Sequence, residues 1–463
     1  MMTQVNELNS SLRGRFKGEL IGRSDPEFVE AHKIWNAAMQ RTPGLIARCS
    51  DVSDVQTAVR CAADVGVVTA VRCGGHSLAG FGSCEGGLVI DLSKLRQVQV
   101  DAEARRASFG GGCLLGTVDS ATQQLGLVFP SGVVSHTGAA GLVLGGGTGW
   151  LTRLHGLSCD NVLGFTLVTA DGAIVRASEN ENSDLFWALR GGGGNFGIVT
   201  EFEVRLHPLN SLLFASSYCA GADIVRLLHD WREFMPGAPD QLKWNVSLGL
   251  APADDRVPAE IRGKPALSAS IAWFGNVKEG HRCVDRIFSI GKHFCKVKRT
   301  ISYLELQTMA DSDFPHGRRY YTKSGYFQDL GDRVIDTMVG ALASISAPNT
   351  QIELAYLGGA ALRLGASETA FGDRSAPFIM NLLADWDSPQ NDAANISWVR
   401  TLFNALRPGM TPGAYVNFMS GDEQDRVPEA YQDRWERLVK VKIRYDSGNF
   451  FRLNQNIRPS VSA

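Results

Sequence analysis

The chain has 463 residues, 44% of them hydrophobic and 20% charged, which is ordinary for a globular enzyme and long enough for two domains. Its net charge of -2 and the absence of a basic tract exclude the usual kind of nucleic-acid-binding surface. Nine scattered cysteines without a C-x-x-C pair exclude a disulfide scaffold and a cysteine zinc site, so we expect no metal.

The first residues, Met1 to Leu20, are polar and lack the apolar segment of a signal peptide. No stretch of the sequence is apolar for long enough to span a membrane. We therefore expect a cytoplasmic protein with reduced thiols and no membrane partner. Monomer and homodimer both remain open.

Hydrophobic periodicity predicts alternating strands and helices in the first part of the chain. Residues 45–49 and 67–72 are apolar runs, and a helix after Asp51 or Ser53 connects them into a βαβ unit with parallel strands. The other elements predicted there are strands at 88–92 and 198–206, hairpins at 98–109 and 161–175, and helices at 114–125 and 184–189.

The strand at 67–72 leads into the loop Arg72-Cys73-Gly74-Gly75-His76-Ser77-Leu78-Ala79-Gly80. Paired glycines let the backbone approach a ligand and turn its N–H groups toward it, which suits phosphate. No lysine follows, as it would in a P-loop, so backbone groups would hold the phosphate. His76 would then lie beside the group that the phosphates carry.

Two further glycine-rich segments follow, at 138–149 and 191–197. Gly192, Gly194 and Gly197 match G-x-G-x-x-G, but helix and strand stand in the reverse order to a dinucleotide-binding Rossmann unit. We therefore reject that interpretation, and these glycines instead favour a strand edge that passes close to a flat ligand.

These three segments together resemble the FAD-linked oxidases of the vanillyl-alcohol oxidase/berberine bridge enzyme type. The Arg-x-Gly-Gly-His-Ser loop, the Gly-rich, Arg, Gly-Leu and Asp-Asn series at 138–161, and Leu-Arg-Gly-Gly-Gly-Gly-Asn-Phe-Gly-Ile-Val at 189–199 stand in the family's order. Near the end, Tyr415-Val416-Asn417 and residues 440–451 resemble the family's Tyr-x-Asn and closing motifs, with Ser447 in place of a proline.

The resemblance implies an α+β, two-domain PCMH/VAO-type fold. Residues 1–208 would form the FAD-binding domain. Residues 209–407 would form a substrate-binding α+β domain, where alternating segments at 242–250 and 266–274 predict antiparallel strands and residues 332–345 a helix. Residues 408–463 would return to the FAD-binding domain, with an amphipathic helix at 431–438.

The resemblance also implies FAD as cofactor, bound covalently through an 8α-histidyl bond to His76. A second bond, formed through a cysteine in some relatives, is not expected, because Val134 stands at that position and His136 falls two residues late. Further residues expected to contact FAD are Arg72, Gly74, Gly75, Ser77, Gly80, Gly138, Gly141, Gly146, Gly149, Ile198, Val199 and Asn417. Asn454 and Asn456 would either reach the flavin ring or pack within the protein.

Three residues are candidates for catalysis by the same resemblance. Tyr415 stands where relatives place an active-site tyrosine, so it is the predicted base, with a packed strand residue as the alternative. A tyrosine with its usual pKa of about 10 needs a nearby cation or donor, and Lys323 is either that cation or a solvated lysine. Asn381 interrupts an apolar strand and cannot act as a base, but it could orient substrate.

The expected function is an oxidase that removes a hydride from an alcohol or amine carbon of a small or medium substrate, with O2 as acceptor and hydrogen peroxide as product. No Fe–S or haem spacing offers another redox centre. Thr137 stands where relatives that react well with oxygen have Val or Ile, so a dehydrogenase with another acceptor stays open. An oxidative cyclase and a flavin-binding protein with little turnover are further alternatives, whereas the lack of a nicotinamide fingerprint disfavours an NADPH-dependent reductase.

Overall fold

The computed structural model describes residues 2–253, 255–365 and 367–459. The α-helices in these ranges are α1 (Met2–Leu12), α2 (Phe28–Ala31), α3 (Val52–Val65), α4 (Leu115–Gln123), α5 (Ala139–Leu144), α6 (Thr152–His155), α7 (Ser183–Leu189), α8 (Asp223–Phe234), α9 (Val277–Phe288), α10 (Tyr303–Thr308), α11 (Asp332–Ala341), α12 (Gly359–Arg363), α13 (Asp392–Leu406), α14 (Val427–Tyr431) and α15 (Trp435–Tyr445). In the described ranges, none of these helices is both long and apolar enough to cross a membrane.

The strands in the same ranges are β1 (Glu19–Gly22), β2 (Leu45–Arg48), β3 (Thr69–Arg72), β4 (Leu88–Asp91), β5 (Val98–Asp101), β6 (Arg106–Gly110), β7 (Leu127–Val128), β8 (Val162–Val168), β9 (Ile174–Ser178), β10 (Ile198–Arg205), β11 (His207–Pro208), β12 (Ser211–Ala220), β13 (Leu242–Leu250), β14 (Pro265–Trp273), β15 (Phe294–Ser302), β16 (Arg319–Phe327), β17 (Gln351–Tyr356) and β18 (Phe378–Trp386). This mixture of helices and largely antiparallel sheets confirms the α+β class.

The first part of the chain builds two main sheets. The four-stranded sheet has the order β1-β2-β4-β3, and the five-stranded sheet has the order β5-β6-β10-β8-β9. Strands β2 and β3 are parallel, as predicted, but β4 lies between them, so the two do not pair directly. The two predicted hairpins correspond to β5–β6 and β8–β9.

Helix α3 begins and ends where the sequence predicts. The Asp51 carboxylate accepts a hydrogen bond from Asp54 N, which satisfies one free N–H group of the first turn. Gly66 ends the helix in the left-handed region, at φ 70°. The apolar face, which includes Val55 and Val59, packs in the core of the four-stranded sheet.

A seven-stranded antiparallel sheet follows, in the order β15-β12-β14-β13-β17-β18-β16. Helices α8, α9, α11 and α13 cover one face, and alternate strand residues such as Leu242, Trp244 and Val246 are buried against them. The opposite face carries polar residues that turn toward the glycine-rich loops. Strand β13 therefore presents an apolar face to the helices and a polar face to a cavity.

The C-terminal helices pack against the first part of the chain. Leu438 of α15 and Ile457 belong to the core of the five-stranded sheet. The predicted amphipathic helix begins later than expected, at Trp435, because Gln432 at φ 49° interrupts the chain after α14. The C-terminal segment thus contacts elements that precede residue 208, while the domain boundaries at 208 and 407 stay predictions.

Asp119 of α4 is a fully buried carboxyl group at the contact between α4 and α10. Among the described residues, no donor has hydrogen-bonding geometry to either carboxyl oxygen. Burial raises the pKa of Asp119 to about 8, and the nearby Gln307 side chain opposes this shift only in part. Because Gln307 Oε1 also lacks a donor, a protonated Asp119 can supply one.

Replacing Asp119 with Asn should keep the shape of the side chain and remove its ionisation. In the unfolded chain this carboxyl ionises near pH 4, so wild-type protein should lose stability relative to Asp119→Asn as the pH rises from about 4 to about 8. We expect a relative loss on the order of 3 kcal/mol between about pH 5 and pH 8. Denaturant unfolding measures it, with exposed Asp336→Asn of α11 as control. Parallel pH profiles of wild type and Asp119→Asn would contradict a neutral Asp119.

Candidate active site

A cavity of about 640 Å³ lies between the glycine-rich loops and the polar face of the seven-stranded sheet. Ligand-binding clefts typically measure about 300–1,000 Å³. Most of the predicted site residues line this cavity: Arg72, Gly74, Gly75, His76, Ser77, Gly138, Gly141, Gly149, Ile198, Val199, Asn381, Tyr415, Asn417 and Asn454. The cavity therefore brings together residues from the beginning, middle and end of the chain.

Three residues predicted to contact the cofactor do not line the cavity. Gly80 packs against Met39, and Gly146 packs against Phe371. Asn456 also lies outside the lining. This position agrees with the second of the two expectations for Asn456, packing within the protein. Gly80 and Gly146 therefore pack against protein side chains outside the lining, and their contacts with the cofactor stay predictions.

The loop after β3 presents free backbone donors to the cavity. Gly75 adopts the left-handed region, at φ 68°. The N–H groups of Gly75, His76 and Ser77 have no acceptor among the described residues, and all three residues line the cavity. Successive N–H groups around a left-handed residue form a concave anion site. The loop can therefore hold a phosphate without a lysine.

Arg72 lines the cavity but is already engaged in an ion pair. Its Nη2 donates to Asp91 Oδ2 at 2.7 Å, and both side chains are buried. Burial alone would raise the pKa of Asp91, but the charge and hydrogen bond of Arg72 lower it. This pair joins β3 to β4 directly beneath the loop, so Arg72 supports the loop in addition to any contact with phosphate.

The second glycine-rich segment lies directly against the first. A Cβ on Gly74 would lie 2.5 Å from Gly138 N, and a Cβ on Gly138 would lie 2.4 Å from Gly74 N. Gly141 and Gly194 differ, because a Cβ on either of them would meet no protein atom within 4 Å. Both line the cavity, so the space beside them is open to a ligand.

His76 is held between an aromatic ring and a second histidine. Its ring stacks on Trp35 with centroids 4.5 Å apart, and Trp35 stacks in turn on Tyr320. His76 Nε2 lies 2.7 Å from His136 Nδ1. Enclosure by the protein, followed by the neighbouring His136 and His316, lowers the pKa of His76 well below its ordinary value. His76 is therefore a neutral imidazole at neutral pH.

A row of polar side chains crosses the facing sheet. Ser268, Ser247, Glu353 and Asn381 lie directly opposite one another on β14, β13, β17 and β18. Further cavity-lining polar residues on these strands are Lys243, Asn245, Ser270 and Gln351. This polar wall faces the glycine-rich loops across the cavity.

Two titratable groups of this wall have displaced pKa values. Asn381 Nδ2 donates to Glu353 Oε2 at 2.7 Å. Loss of contact with bulk water raises the pKa of Glu353, and the Asn381 hydrogen bond offsets this only in part. Burial, with a smaller effect of the nearby Arg153 charge, lowers the pKa of Lys243 to about 7. Both groups are thus suited to exchange protons closer to neutral pH.

The sequence analysis missed Glu353, Lys243 and His136 as site residues. For Lys243 a signal existed, because Lys243, Asn245 and Ser247 alternate with apolar core residues along one strand. Such a polar face must meet either solvent or a ligand. Gln351 and Glu353 alternate in the same way with the core residues Ile352 and Leu354, whereas no local pattern distinguishes His136.

Tyr415 lies at the cavity wall as a fully buried ring. Its hydroxyl oxygen accepts hydrogen bonds from Gly147 N at 3.0 Å, Thr148 N at 3.3 Å and Asn417 Nδ2 at 3.0 Å. Burial raises the pKa of Tyr415, and these three donors reduce the shift without reversing it. Tyr415 therefore anchors the loop at 147–148 and remains protonated near neutral pH.

Lys323 does not lie beside Tyr415, which corrects its predicted role. Lys323 Nζ pairs with Glu423 Oε1 at 3.1 Å. Lys323 also stands opposite Leu382 on β18, one residue out of phase with Asn381, so it points to the helix-covered face of the sheet. No cation is among the groups that displace the pKa of Tyr415.

The residues of the cavity fit FAD. The unpaired N–H groups at 75–77 match its phosphates, and the open space beside Gly141 and Gly194 admits a flat group. His76 carries one of these N–H groups and lines the cavity together with the polar wall. The loops at 73–78, 138–149 and 193–199, called the glycine cradle below, would therefore hold the cofactor and leave the polar wall to a substrate.

Comparison with known proteins agrees with this fit. Residues 43–178 match the family described as FAD binding domain, and residues 414–458 match the one described as Berberine and berberine like. The chain is 30% identical over 452 residues to YgaK of Bacillus subtilis (strain 168), an uncharacterized FAD-linked oxidoreductase, across 96% of this chain and 98% of that protein. It is 29% identical to (R)-6-hydroxynicotine oxidase of Paenarthrobacter nicotinovorans, across 96% and 98% of the two chains.

A solved structure shows the same fold. The crystal structure of 6-hydroxy-D-nicotine oxidase from Arthrobacter nicotinovorans matches with a TM-score of 0.86 at 29% identity, across 96% of this chain and 98% of that chain. The resemblance seen in the sequence, the PCMH/VAO-type fold and the binding of FAD are thereby confirmed. The chain belongs to the berberine bridge enzyme-like family of FAD-linked oxidoreductases.

Proposed function

We propose that the protein is an oxidase that removes a hydride from the carbon of an alcohol or amine group in a small or medium organic substrate and passes the electrons to O2, which yields hydrogen peroxide. Bound FAD supplies the hydride acceptor and the reaction with oxygen. The observation that carries the proposal is the position of Glu353 on the wall opposite the glycine cradle. When hydride leaves the substrate carbon, the attached O–H or N–H group must give up a proton, and Glu353 can accept it. The name of the relative (R)-6-hydroxynicotine oxidase supports the reaction class.

Glu353 is suited to accept that proton. Asn381 holds its Oε2, while Oε1 has no partner among the described residues and is free for a substrate group. The raised pKa of Glu353 makes its carboxylate a stronger base than an exposed one. Tyr415, the base expected from the resemblance, has a raised pKa and an oxygen that already accepts three hydrogen bonds. We therefore assign proton acceptance to Glu353 and positioning to Tyr415.

Replacing Glu353 with Gln should keep the size of the side chain and remove the proton acceptor. We expect the rate at which substrate bleaches the flavin to fall by about 10²–10⁴-fold, and to fall less in Tyr415→Phe. A panel of alcohols and amines, screened by peroxide release, provides the substrate, and stopped-flow absorbance then measures the rate. A larger loss in Tyr415→Phe than in Glu353→Gln would overturn the assignment.

The pH dependence of the same rate gives an independent check. Only the ionised carboxylate of Glu353 accepts a proton, so the wild-type rate should rise with pH. The midpoint should lie above 4.5, the ordinary value for Glu, because the pKa of Glu353 is raised. A bleaching rate that falls as pH rises through this range would contradict a carboxylate base.

We further propose that FAD is bound covalently, once, through His76. The neutral ring of His76 has a nucleophilic nitrogen, which would take the place of one hydrogen of the 8α-methyl group, with the two electrons released passing through the flavin to O2. Val134 offers no thiol for a second bond. After acid precipitation, the flavin absorbance should stay in the pellet for wild type and for the control His281→Ala, and move to the supernatant for His76→Ala. Colour in the wild-type supernatant would contradict the bond, and no colour in either fraction would contradict the cofactor.

Filling the open space beside Gly141 should expel the cofactor without disturbing the protein. We expect Gly141→Leu to lower the flavin content per chain by more than half, because the new side chain projects into the cavity. The control is Gly340→Leu, which also stands in a helix with no atom within 4 Å of an added Cβ. Absorbance per chain measures the flavin content. When the flavin-free forms are compared, thermal unfolding should show the same stability for both variants and the wild type. Full flavin occupancy in Gly141→Leu would contradict the cradle.

The products separate the remaining alternatives. Peroxide together with a carbonyl or imine supports the oxidase. A product that contains a new ring and has the same heavy-atom formula as the substrate identifies an oxidative cyclase. Flavin that is bleached by substrate but reoxidised only by an added acceptor identifies a dehydrogenase.

A further inference from the structure

Three histidines from distant parts of the chain meet beside the cavity. One ring nitrogen from each of His76, His136 and His316 lies within 4.8 Å of the other two. The shortest separation is the 2.7 Å between His76 Nε2 and His136 Nδ1, and the His316 ring centroid lies 5.5 Å and 5.0 Å from those two rings. His316 is exposed, so the cluster is open to solvent on one side.

Trp35 fixes two of the histidine-bearing loops. The backbone N–H of Trp35 donates to Gly75 O at 3.2 Å, and the backbone carbonyl of Trp35 accepts from Gly317 N at 3.0 Å. Gly75 and Gly317 directly adjoin His76 and His316 in the chain. Because one residue joins both loops, the two histidines are held in place by the backbone.

The third loop is tied to the same region. Ser135 N and Ser135 Oγ donate to the two carboxylate oxygens of Asp311 at 2.8 Å and 2.5 Å. Ser135 precedes His136, and Asp311 belongs to the segment that leads to His316. Hydrogen bonds outside the rings therefore hold the three histidine-bearing loops next to one another. Such supporting contacts orient the ligands of metal sites.

We propose that His76, His136 and His316 form a binding site for one divalent transition-metal ion, for which Zn²⁺ is the probe. Zinc commonly takes three histidine ligands and a water molecule in tetrahedral geometry. Zn–N bonds of about 2.0–2.1 Å place ligand nitrogens roughly 3.3 Å apart. This spacing lies between the shortest nitrogen–nitrogen distance in the cluster, 2.7 Å, and its upper limit of 4.8 Å. Small rotations of the three rings bring the nitrogens to that spacing.

The surroundings of the cluster admit an ion. The exposed side of His316 gives an ion access from solvent and leaves room for the water ligand.

The metal and the flavin use different atoms of His76, a point that rests on the proposed covalent bond. Nε2 of His76 is turned toward His136, which leaves Nδ1 for the flavin. An imidazole that carries a carbon substituent on one nitrogen keeps a lone pair on the other. The flavin-loaded protein is therefore able to bind the metal, and without metal His136 Nδ1–H donates to that lone pair.

Zinc binding to the purified, flavin-loaded protein tests the site. The protein is treated with EDTA and dialysed against increasing ZnCl2, and bound zinc is measured by elemental mass spectrometry. We expect one zinc per chain in wild type and in His281→Ala, a histidine of α9 outside the cluster, and at least about tenfold weaker binding in His136→Ala and His316→Ala. Zinc should also raise the Tm of wild type but not of His316→Ala.

Wild-type protein without bound zinc, or unchanged zinc binding in both His136→Ala and His316→Ala, would overturn the site. Replacement of the exposed His316 leaves the buried core intact, so the acid-precipitated flavin of that variant reports on the cofactor separately. Retained zinc binding in a protein that shows no flavin or oxidation would overturn the proposed function and support the metal site.

Discussion

The cavity depends on the direct contact between the backbones of Gly74 and Gly138. A Cβ on either residue would come within 2.5 Å of a backbone nitrogen of the other, so any side chain would push the two loops apart. The same contact brings His76 within hydrogen-bonding distance of His136. It also turns consecutive N–H groups of the first loop toward the cavity. The cofactor cradle and the approach of His76 to His136 thus depend on two residues that lack side chains.

The C-terminal segment holds the other part of the cradle. Lys442 is fully buried, and its Nζ donates to Asn195 O, Asp446 Oδ2 and Phe451 O at 2.6–2.9 Å. A buried ammonium group is costly to dehydrate unless its donors find acceptors, and here three donors have three acceptors. Because Asn195 belongs to the glycine-rich segment that lines the cavity, the motif at 440–451 positions the cradle.

Local patterns predicted the cradle, since glycines after an apolar strand carry their meaning within a few residues. The face of a sheet to which a strand residue points depends instead on how the strand pairs with distant segments of the chain. Lys323 and Asn381 both interrupt apolar runs, yet pairing of β16 with β18 puts Lys323 opposite Leu382 and Asn381 opposite Ser324, on opposite faces of the sheet. A shift of one residue reverses this assignment, so the sequence could not separate the two roles.

The polar wall shows why the remaining site residues escaped prediction and what their placement does. Charged residues on a strand are ordinarily solvated, but Glu353 and Lys243 are enclosed because the polar face of the sheet closes over a cradle from another part of the chain. Loss of water favours the neutral form of both groups, which raises the pKa of Glu353 and lowers that of Lys243. Proton uptake by Glu353 therefore costs less than in water. A proton released by the proposed substrate at this wall would have an acceptor within the wall, so the proposed oxidation would not require bulk water to enter the cavity.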